Sequence, residues 1–215
     1  MSLAKITYLA WDTVFSRPLP LTKRLVDIAL ASGGLLVLSP VMLLVAVVIK
    51  LTSKGPVFFA QERTGQDRRR FRMYKFRTMK DGAYKELHLI KDLNLMTGPL
   101  IKVENDPRLT CVGGFLRKTS LDELPQLFNV LRGDMTLVGP RALSPLPVQY
   151  ERWQTGRFVV RPGIACAWQA YRRADSDFVE WMRSDLSYLD RSSLLTDLRI
   201  LTRTIVNVLL GKGAR

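Results

Sequence analysis

One histidine, His88, and two cysteines, Cys111 and Cys166, are all that 215 positions hold of those residue types. A single histidine excludes multi-histidine metal sites and weakens any Ser-His-Asp or Cys-His nucleophile scheme. The cysteines lie 55 residues apart with no CxxC pair, so neither a zinc framework nor a disulfide scaffold is expected, which fits a reducing compartment. GxxxxGK[ST], GxGxxG after a strand, HExxH and EF-hand loops are all missing, and Gly33-Gly34 and Gly113-Gly114 fit no phosphate-cradle spacing. Acidic residues are few: 19 stand against 33 Lys and Arg, a net charge of +14. Such a chain needs an anionic partner, which can be nucleic acid, anionic lipid or a phosphorylated substrate. With 47% apolar residues it can bury a core, so disorder and collagen-like repeats are excluded. The length suits one domain, or one domain with an appendage.

What is present begins with an apolar run. From Ile28 to Ile49 no residue is charged, and as helix these 22 residues would span about 33 Å, close to the hydrocarbon thickness of a bilayer. The run is long for a signal-peptide core, follows Asp12 and Asp27, and leads into Lys-Leu-Thr-Ser-Lys without a small-x-small cleavage site. Ser39-Pro40 falls at its midpoint, where proline removes a helix hydrogen bond. Positive charges flank it almost symmetrically, with Lys23 and Arg24 before it and Lys50, Lys54, Arg63 and Arg68 to Arg70 after it. A kinked span and a re-entrant helix with both ends on the cytoplasmic side both satisfy this pattern.

The remaining organisation is an N-terminal arm over 1–20, the membrane segment over 21–54 and a catalytic domain over 55–215. Residues 57–61 and 71–77 read as two strands around a basic turn, with Lys75 and Arg77 projecting together from the second. Residues 81–96 read as helix, and Asn105-Asp106-Pro107 as a turn. Over 121–132, Leu124, Leu127, Phe128 and Leu131 make a helical stripe that Gly133 ends, with Asp122 and Glu123 at its N-terminal edge. A last helix covers 192–210, its stripe of Leu194, Leu198, Leu201, Ile205 and Val208 reading as core packing more than membrane contact. Ser120-Leu121-Asp122-Glu123 has two readings. Ser-x-x-Glu is a capping box; alternatively, the carboxylates are a nucleophile or metal ligand, which a helix N-terminus would keep ionised beside a phosphorylated substrate. Lys75, Arg117, Lys118 and Arg141 would then clamp a pyrophosphate, with Val138-Gly139-Pro140 fixing Arg141. The aromatic residues lack RNP glycine spacing and no helix-turn-helix pattern occurs, so no nucleic-acid partner is expected.

Several segments follow one another in a recognisable order. They are Lys23-Arg24-Leu25-Val26-Asp27, the run with Ser39-Pro40, Gly55-Pro56-Val57-Phe58-Phe59, Tyr74-Lys75-Phe76-Arg77-Thr78-Met79 and Asn105-Asp106-Pro107-Arg108. Leu116 to Gln126, Gly133-Asp134-Met135, Leu137 to Arg141 and Arg161-Pro162-Gly163 complete the order. Over about residues 22–210 the chain resembles the bacterial sugar transferases, small monotopic polyprenyl-phosphate phosphoglycosyl transferases. The resemblance implies an α+β, helix-rich monotopic membrane enzyme with small β-hairpin elements and a membrane helix broken at Ser39-Pro40 that turns back to the leaflet it came from. It implies Mg²⁺-dependent transfer of a sugar 1-phosphate from a nucleotide diphosphate sugar, usually a UDP-sugar, to undecaprenyl phosphate at the cytoplasmic face of the bacterial inner membrane. Asp122 matches the nucleophile that forms a phosphosugar-enzyme intermediate and Glu123 its dyad partner; Lys75 and Asp185 match other active-site positions. The chain departs from the family pattern over Ala165–Arg173, where Thr-Gly and a later Gly-Arg-Asn are replaced; this bears on the choice of sugar. The competing expectation is a non-enzymatic, membrane-anchored basic protein that binds nucleic acid or anionic lipid. It explains the charge and the apolar run but not an acidic pair amid basic segments.

Overall fold

The computed structural model describes residues 16–83, 86, 93–95, 97, 103, 106–144, 150–172 and 177–211. Most of the expected arm over 1–20 and of the expected helix over 81–96 lies outside these residues, as does Asn105.

The longest element is α1, Leu21–Thr52, whose 32 residues span about 48 Å. It runs helical through Ser39 and Pro40, with Ser39 Oγ donating back to Leu36 O at 2.8 Å. The helix is long and apolar enough to cross a membrane, and Leu36 and Leu51 are among its most exposed side chains, at 78% and 80%. Its buried positions, Asp27, Ala31, Val45 and Ile49, lie toward its two ends. Asp27 accepts from Thr136 Oγ1 at 2.6 Å and from Leu137 N at 3.2 Å. Arg24 donates to the carbonyls of Val130 and Leu131, and Lys23 to Val138 O and Asp197. At the other end Val45 and Ile49 pack with Phe76 and Leu116. Arg77 donates to Ser53 Oγ and to the carbonyls of Ser53 and Lys54. Both ends of α1 are therefore tied to the same folded body.

β1, Phe58–Thr64, and β2, Arg70–Phe76, form an antiparallel hairpin with Phe59 opposite Lys75 and Arg63 opposite Phe71. The two strands are longer at the turn end than the sequence pattern suggested. Then come α2, Gly113–Lys118, a 3₁₀ turn Leu121–Glu123, and α3, Gln126–Arg132. The expected single helix over 121–132 is thus broken: Pro125 lacks an N–H and stands as the cap of α3, separating it from the acidic turn. Gly133 ends α3 at φ 89°, as expected of a C′ glycine. Asn129 fixes the hairpin on α3: its Oδ1 accepts from Tyr74 N at 3.0 Å and its Nδ2 donates to Arg72 O at 2.7 Å. One buried side chain thereby satisfies two polar groups of the free β2 edge.

β3, Thr136–Val138, and β4, Gly163–Ala165, pair in parallel. A Cβ on Gly163 would lie 2.0 Å from Gly139 N, so the Val138-Gly139-Pro140 and Arg161-Pro162-Gly163 segments approach as only glycine permits. A 3₁₀ stretch Arg152–Val159 precedes β4; α4, Ala167–Tyr171, α5, Phe178–Arg191, and α6, Leu194–Leu209, follow it. The central core joins Met73, Leu127, Val130, Met135, Leu186 and Ile200; a second cluster holds the Trp168–Trp181 stack, with ring centroids 4.4 Å apart. α6 corrects one expectation. Leu194, Leu198 and Ile205 are exposed, whereas Asp197 and Ile200 are buried. Asp197 accepts from Lys23 and from Tyr188 Oη, and those polar ties turn Leu194, Leu198 and Ile205 outward, while Leu201 of the same stripe packs half-buried against the central core as expected.

Candidate active site

The acidic turn Leu121–Glu123 faces the hairpin. Ser120 precedes it in a left-handed conformation, φ 55°, and its side chain caps nothing, so the capping-box reading is not realised. Glu123 Oε1 accepts from Lys75 Nζ and from Arg141 Nη2, each at 2.7 Å. Asp122 is buried, and its Oδ2 lies 3.8 Å from the same Lys75 Nζ. Among the described residues no hydrogen bond holds the Asp122 carboxylate. Arg141 follows the glycine-glycine contact and pairs through a backbone bridge with Gly163, so two rigid segments aim it at Glu123. Arg117 is anchored at the end of α2, its Nε donating to Thr78 Oγ1 at 3.0 Å, within electrostatic reach of Asp122 and Glu123. Lys75, Asp122, Glu123, Arg117 and Arg141 are brought together.

Two expectations change. Arg77, grouped with Lys75 from strand alternation, follows the end of β2 and binds the C-terminal end of α1 instead. Asp185 sits behind the cluster on α5, 1% exposed, with Oδ2 at 2.8 Å from Arg157 Nη2. Arg157, itself 3% exposed, also donates to Arg141 O. Arg157 thus bridges Asp185 to the backbone of Arg141, a role that sequence reading missed because nothing in the local pattern around Arg157 marks it.

Burial and charge set the protonation of these groups. For Asp122, burial raises the carboxyl above its usual range, against the pull of Lys75, so the expected effect of a helix N-terminus is not what governs it. Burial would also raise Glu123, but Arg141 and Lys75 outweigh it and hold this carboxyl far below the usual range. Asp185 is pushed up to about 6 by burial, with Arg157 and Arg141 opposing. Burial pushes the Cys166 thiol up to about 12, which leaves it inert as a nucleophile. Beside Glu123 a cavity of about 110 Å³ opens, lined by Leu124, Leu127, Ile164, Gln169 and Thr204. Ala165, which stands where the family pattern has Thr, also lines it, so the departing segment borders the site, while Gln169 keeps the pattern.

A hard cation such as Mg²⁺ asks for oxygen donors, which this site holds in its acidic pair. No three His, Cys, Asp or Glu side chains converge among the described residues, so there is no all-protein cage. Mg²⁺ needs none when one or two carboxylates and substrate phosphates suffice, and Asp122, free of hydrogen bonds among the described residues, fits as such a ligand.

Residues 19–211 match the family model described as bacterial sugar transferase. The galactosyl transferase CpsE of Streptococcus agalactiae is 42% identical over 202 residues, covering 91% of this chain and 44% of that protein. The exopolysaccharide production protein ExoY of Rhizobium meliloti is 37% identical, covering 90% of this chain and 88% of that protein. The UDP-glucose:undecaprenyl-phosphate glucose-1-phosphate transferase of Escherichia coli is 39% identical, covering 95% of this chain and 44% of that protein. The chain therefore spans less than half of the Streptococcus and Escherichia relatives and nearly all of the Rhizobium one.

Proposed function

The chain belongs to the bacterial sugar transferase family, and we propose that it moves a sugar 1-phosphate from a nucleotide diphosphate sugar, a UDP-sugar by our reading, to undecaprenyl phosphate. This would be the first membrane step of glycan or exopolysaccharide assembly, at the cytoplasmic face of the bacterial inner membrane. The observation that carries the reading is the division of labour in the acidic pair: Glu123 is bonded to both Lys75 and Arg141, while Asp122 beside it keeps a carboxylate with no hydrogen bond.

In this reading an Asp122 oxygen attacks the sugar-bearing phosphorus. The bond from that phosphorus to the bridging oxygen breaks, and nucleoside monophosphate leaves with the electron pair. A phosphate oxygen of the lipid then attacks the same phosphorus and displaces Asp122, giving a polyprenyl diphosphate sugar. Splitting the transfer in two means the two anionic substrates never have to meet each other directly. Lys75 and Arg141 hold Glu123 ionised and lend positive charge to the incoming diphosphate. Asp122 would hold a Mg²⁺ ion, which would supply further charge neutralisation when bound. The cavity beside Glu123, with Leu124, Leu127 and Ile164 in its wall, suits an apolar substituent.

For the membrane, the re-entrant reading of α1 gains support from its two ends: Lys23 and Arg24 at one, and Ser53 and Lys54 at the other, are bonded to the same body. A helix that crossed the bilayer would carry one of those ends away from it. Single cysteines near Lys23 and Lys54 should be labelled from the same side in a Cys-free background; labelling from opposite sides would sink re-entrance. Pro40→Leu should push the segment toward a full span.

The transfer itself is tested by mass spectrometry after incubation with donor and Mg²⁺ without lipid. A sugar-phosphate adduct on Asp122 is expected. No adduct, with kinetics requiring both substrates bound at once, would make Asp122 a metal ligand in a direct transfer. EDTA should abolish nucleoside monophosphate release; salt-sensitive DNA binding without turnover would favour the anchored basic protein instead.

A further inference from the structure

The cations around the acidic pair outnumber its anions, and among the described residues two of them, Arg117 and Arg63, make no ion pair; Arg117 is held by Thr78 Oγ1 instead. Glu123 is taken by Lys75 and Arg141, and Asp185 by Arg157. Arg63 is left. Its register on β1, opposite Phe71, puts it on the hairpin face that carries Lys75, since Phe59, Gln61 and Arg63 alternate to one side and their cross-strand partners Lys75, Met73 and Phe71 share it. The side chain is half-buried, its Nε is sealed from solvent without a partner, and its Nη2 reaches only the neutral Gln61 Oε1. Its electrostatic neighbours are Arg141, Glu123 and Tyr150. The next residue, Thr64, donates its N–H to Leu143 O at 3.0 Å, which sets the Arg63 backbone beside the segment that carries Arg141.

Holding a desolvated guanidinium beside a second one costs stability unless an anion joins them. Burial first, then the repulsion of Arg141, lowers the Arg63 pKa to about 10, against the weaker pull of Glu123. Guanidinium pairs favour phosphoryl oxygens, to which they donate several hydrogen bonds in a fixed plane.

We propose that Arg63 and Arg141 together seat a phosphoryl group of a substrate, with Arg63 supplying the binding charge that the acidic pair does not use. The assignment rests on the transferase reading for the identity of the substrates. Both the donor diphosphate and the lipid phosphate have this chemistry, so two probes separate them: inorganic pyrophosphate and farnesyl phosphate.

The full chain in detergent would be titrated calorimetrically with each probe at fixed Mg²⁺, as wild type, Arg63→Gln and Arg63→Lys. Loss of one charge-assisted contact should weaken one probe by about 10-fold or more in Arg63→Gln. Arg63→Lys should regain part of that loss as a point charge. Weaker pyrophosphate alone assigns the donor; weaker farnesyl phosphate alone assigns the acceptor; weakening of both assigns a seat the two share. Affinities unchanged within about twofold, or a wild type that binds neither probe, overturn the proposal. If Arg63→Gln does not fold by circular dichroism, Arg63→Lys decides alone, and wild-type affinity in it overturns the bidentate seat. The transferase reading fails separately: wild type that binds pyrophosphate through Arg63 yet releases no nucleoside monophosphate from any nucleotide sugar would sink that reading and leave this one standing.

Discussion

Glu123 at the front of the site and Asp185 behind it are two carboxylates at almost the same distance from an arginine, 2.7 Å from Arg141 and 2.8 Å from Arg157. Their protons are held in opposite ways: Glu123 is kept ionised, Asp185 is pushed up to about 6. The difference lies first in charge, since two cations touch Glu123 and one touches Asp185, and then in hydrogen bonding. Glu123 Oε1 accepts from two cations in good geometry. Neither oxygen of Asp185 receives a well-formed hydrogen bond, although the group is enclosed on all sides. One cation at contact distance does not repay the desolvation of this charge; two cations that also donate directed hydrogen bonds do. The front is thus built to keep an anion and its cations available to a ligand, and the rear to brace the segment that carries Arg141.

The strongest way to break this contrast is at Asp122. Asp122→Asn removes the nucleophile while keeping its shape, and no hydrogen bond is lost with it. Turnover should fall by about 10³-fold or more, with the melting temperature nearly unchanged. Release of nucleoside monophosphate from the donor measures the first; circular dichroism measures the second. A variant that keeps a tenth of wild-type activity would move the chemistry away from this residue.

Next come the cations of Glu123. Lys75→Ala or Arg141→Ala removes one of its two donors and leaves the carboxylate mostly buried with half its compensation. Each should cost about 1–3 kcal/mol of stability, discounted for partial exposure, and lower turnover by about 10- to 100-fold. Glu123→Gln should also lose turnover, but an adduct on Asp122 could still form if Glu123 serves mainly the lipid phosphate. Arg69→Ala, an exposed charge on the hairpin turn, sets the baseline at less than about 0.5 kcal/mol. Equal, small effects at all three cations would reduce the front cluster to a solvated surface.

How much of this could be read from residues alone depended on the range of the interaction. The hairpin, the ends of α1 and the start and stop of α6 follow from local period and punctuation, and the acidic pair stands out against its basic neighbours. A continuous leucine stripe masks the break at Pro125. Arg77 shares strand alternation with Lys75, yet its partners lie on the end of α1, more than twenty residues away. The outward leucines of α6 obey a helical period that states which residues share a face and not which face turns inward. That choice was made by Asp197 meeting Lys23, a pairing 174 positions apart. Arg63 and Arg157 carry no local signature for the same reason.

The rear carboxylate gives the finest test, through pH. Asp185 has a folded pKa of about 6, against an ordinary unfolded value of about 3.9. The folded state therefore binds more protons than the unfolded state between these values, so stability falls as pH rises through the interval from about 4 to 6. Below about 4 the protonated group costs nothing; above about 6 the full penalty of ionising it stands, at most about 3 kcal/mol for a gap of roughly two pH units. Asp185→Asn cannot titrate. It leaves Arg157 without its anion, which adds an offset but no slope in this interval. Melting temperatures of the two proteins, measured in detergent from pH 4 to 7, should therefore approach or diverge steadily between 4 and 6, wild type losing ground as pH rises, and run parallel above. Curves parallel throughout would mean that Asp185 is ionised across the whole range. Arg157 would then hold its carboxylate as firmly as Arg141 holds Glu123, and the distinction between a directed and an undirected pair would fail at the place where it was drawn.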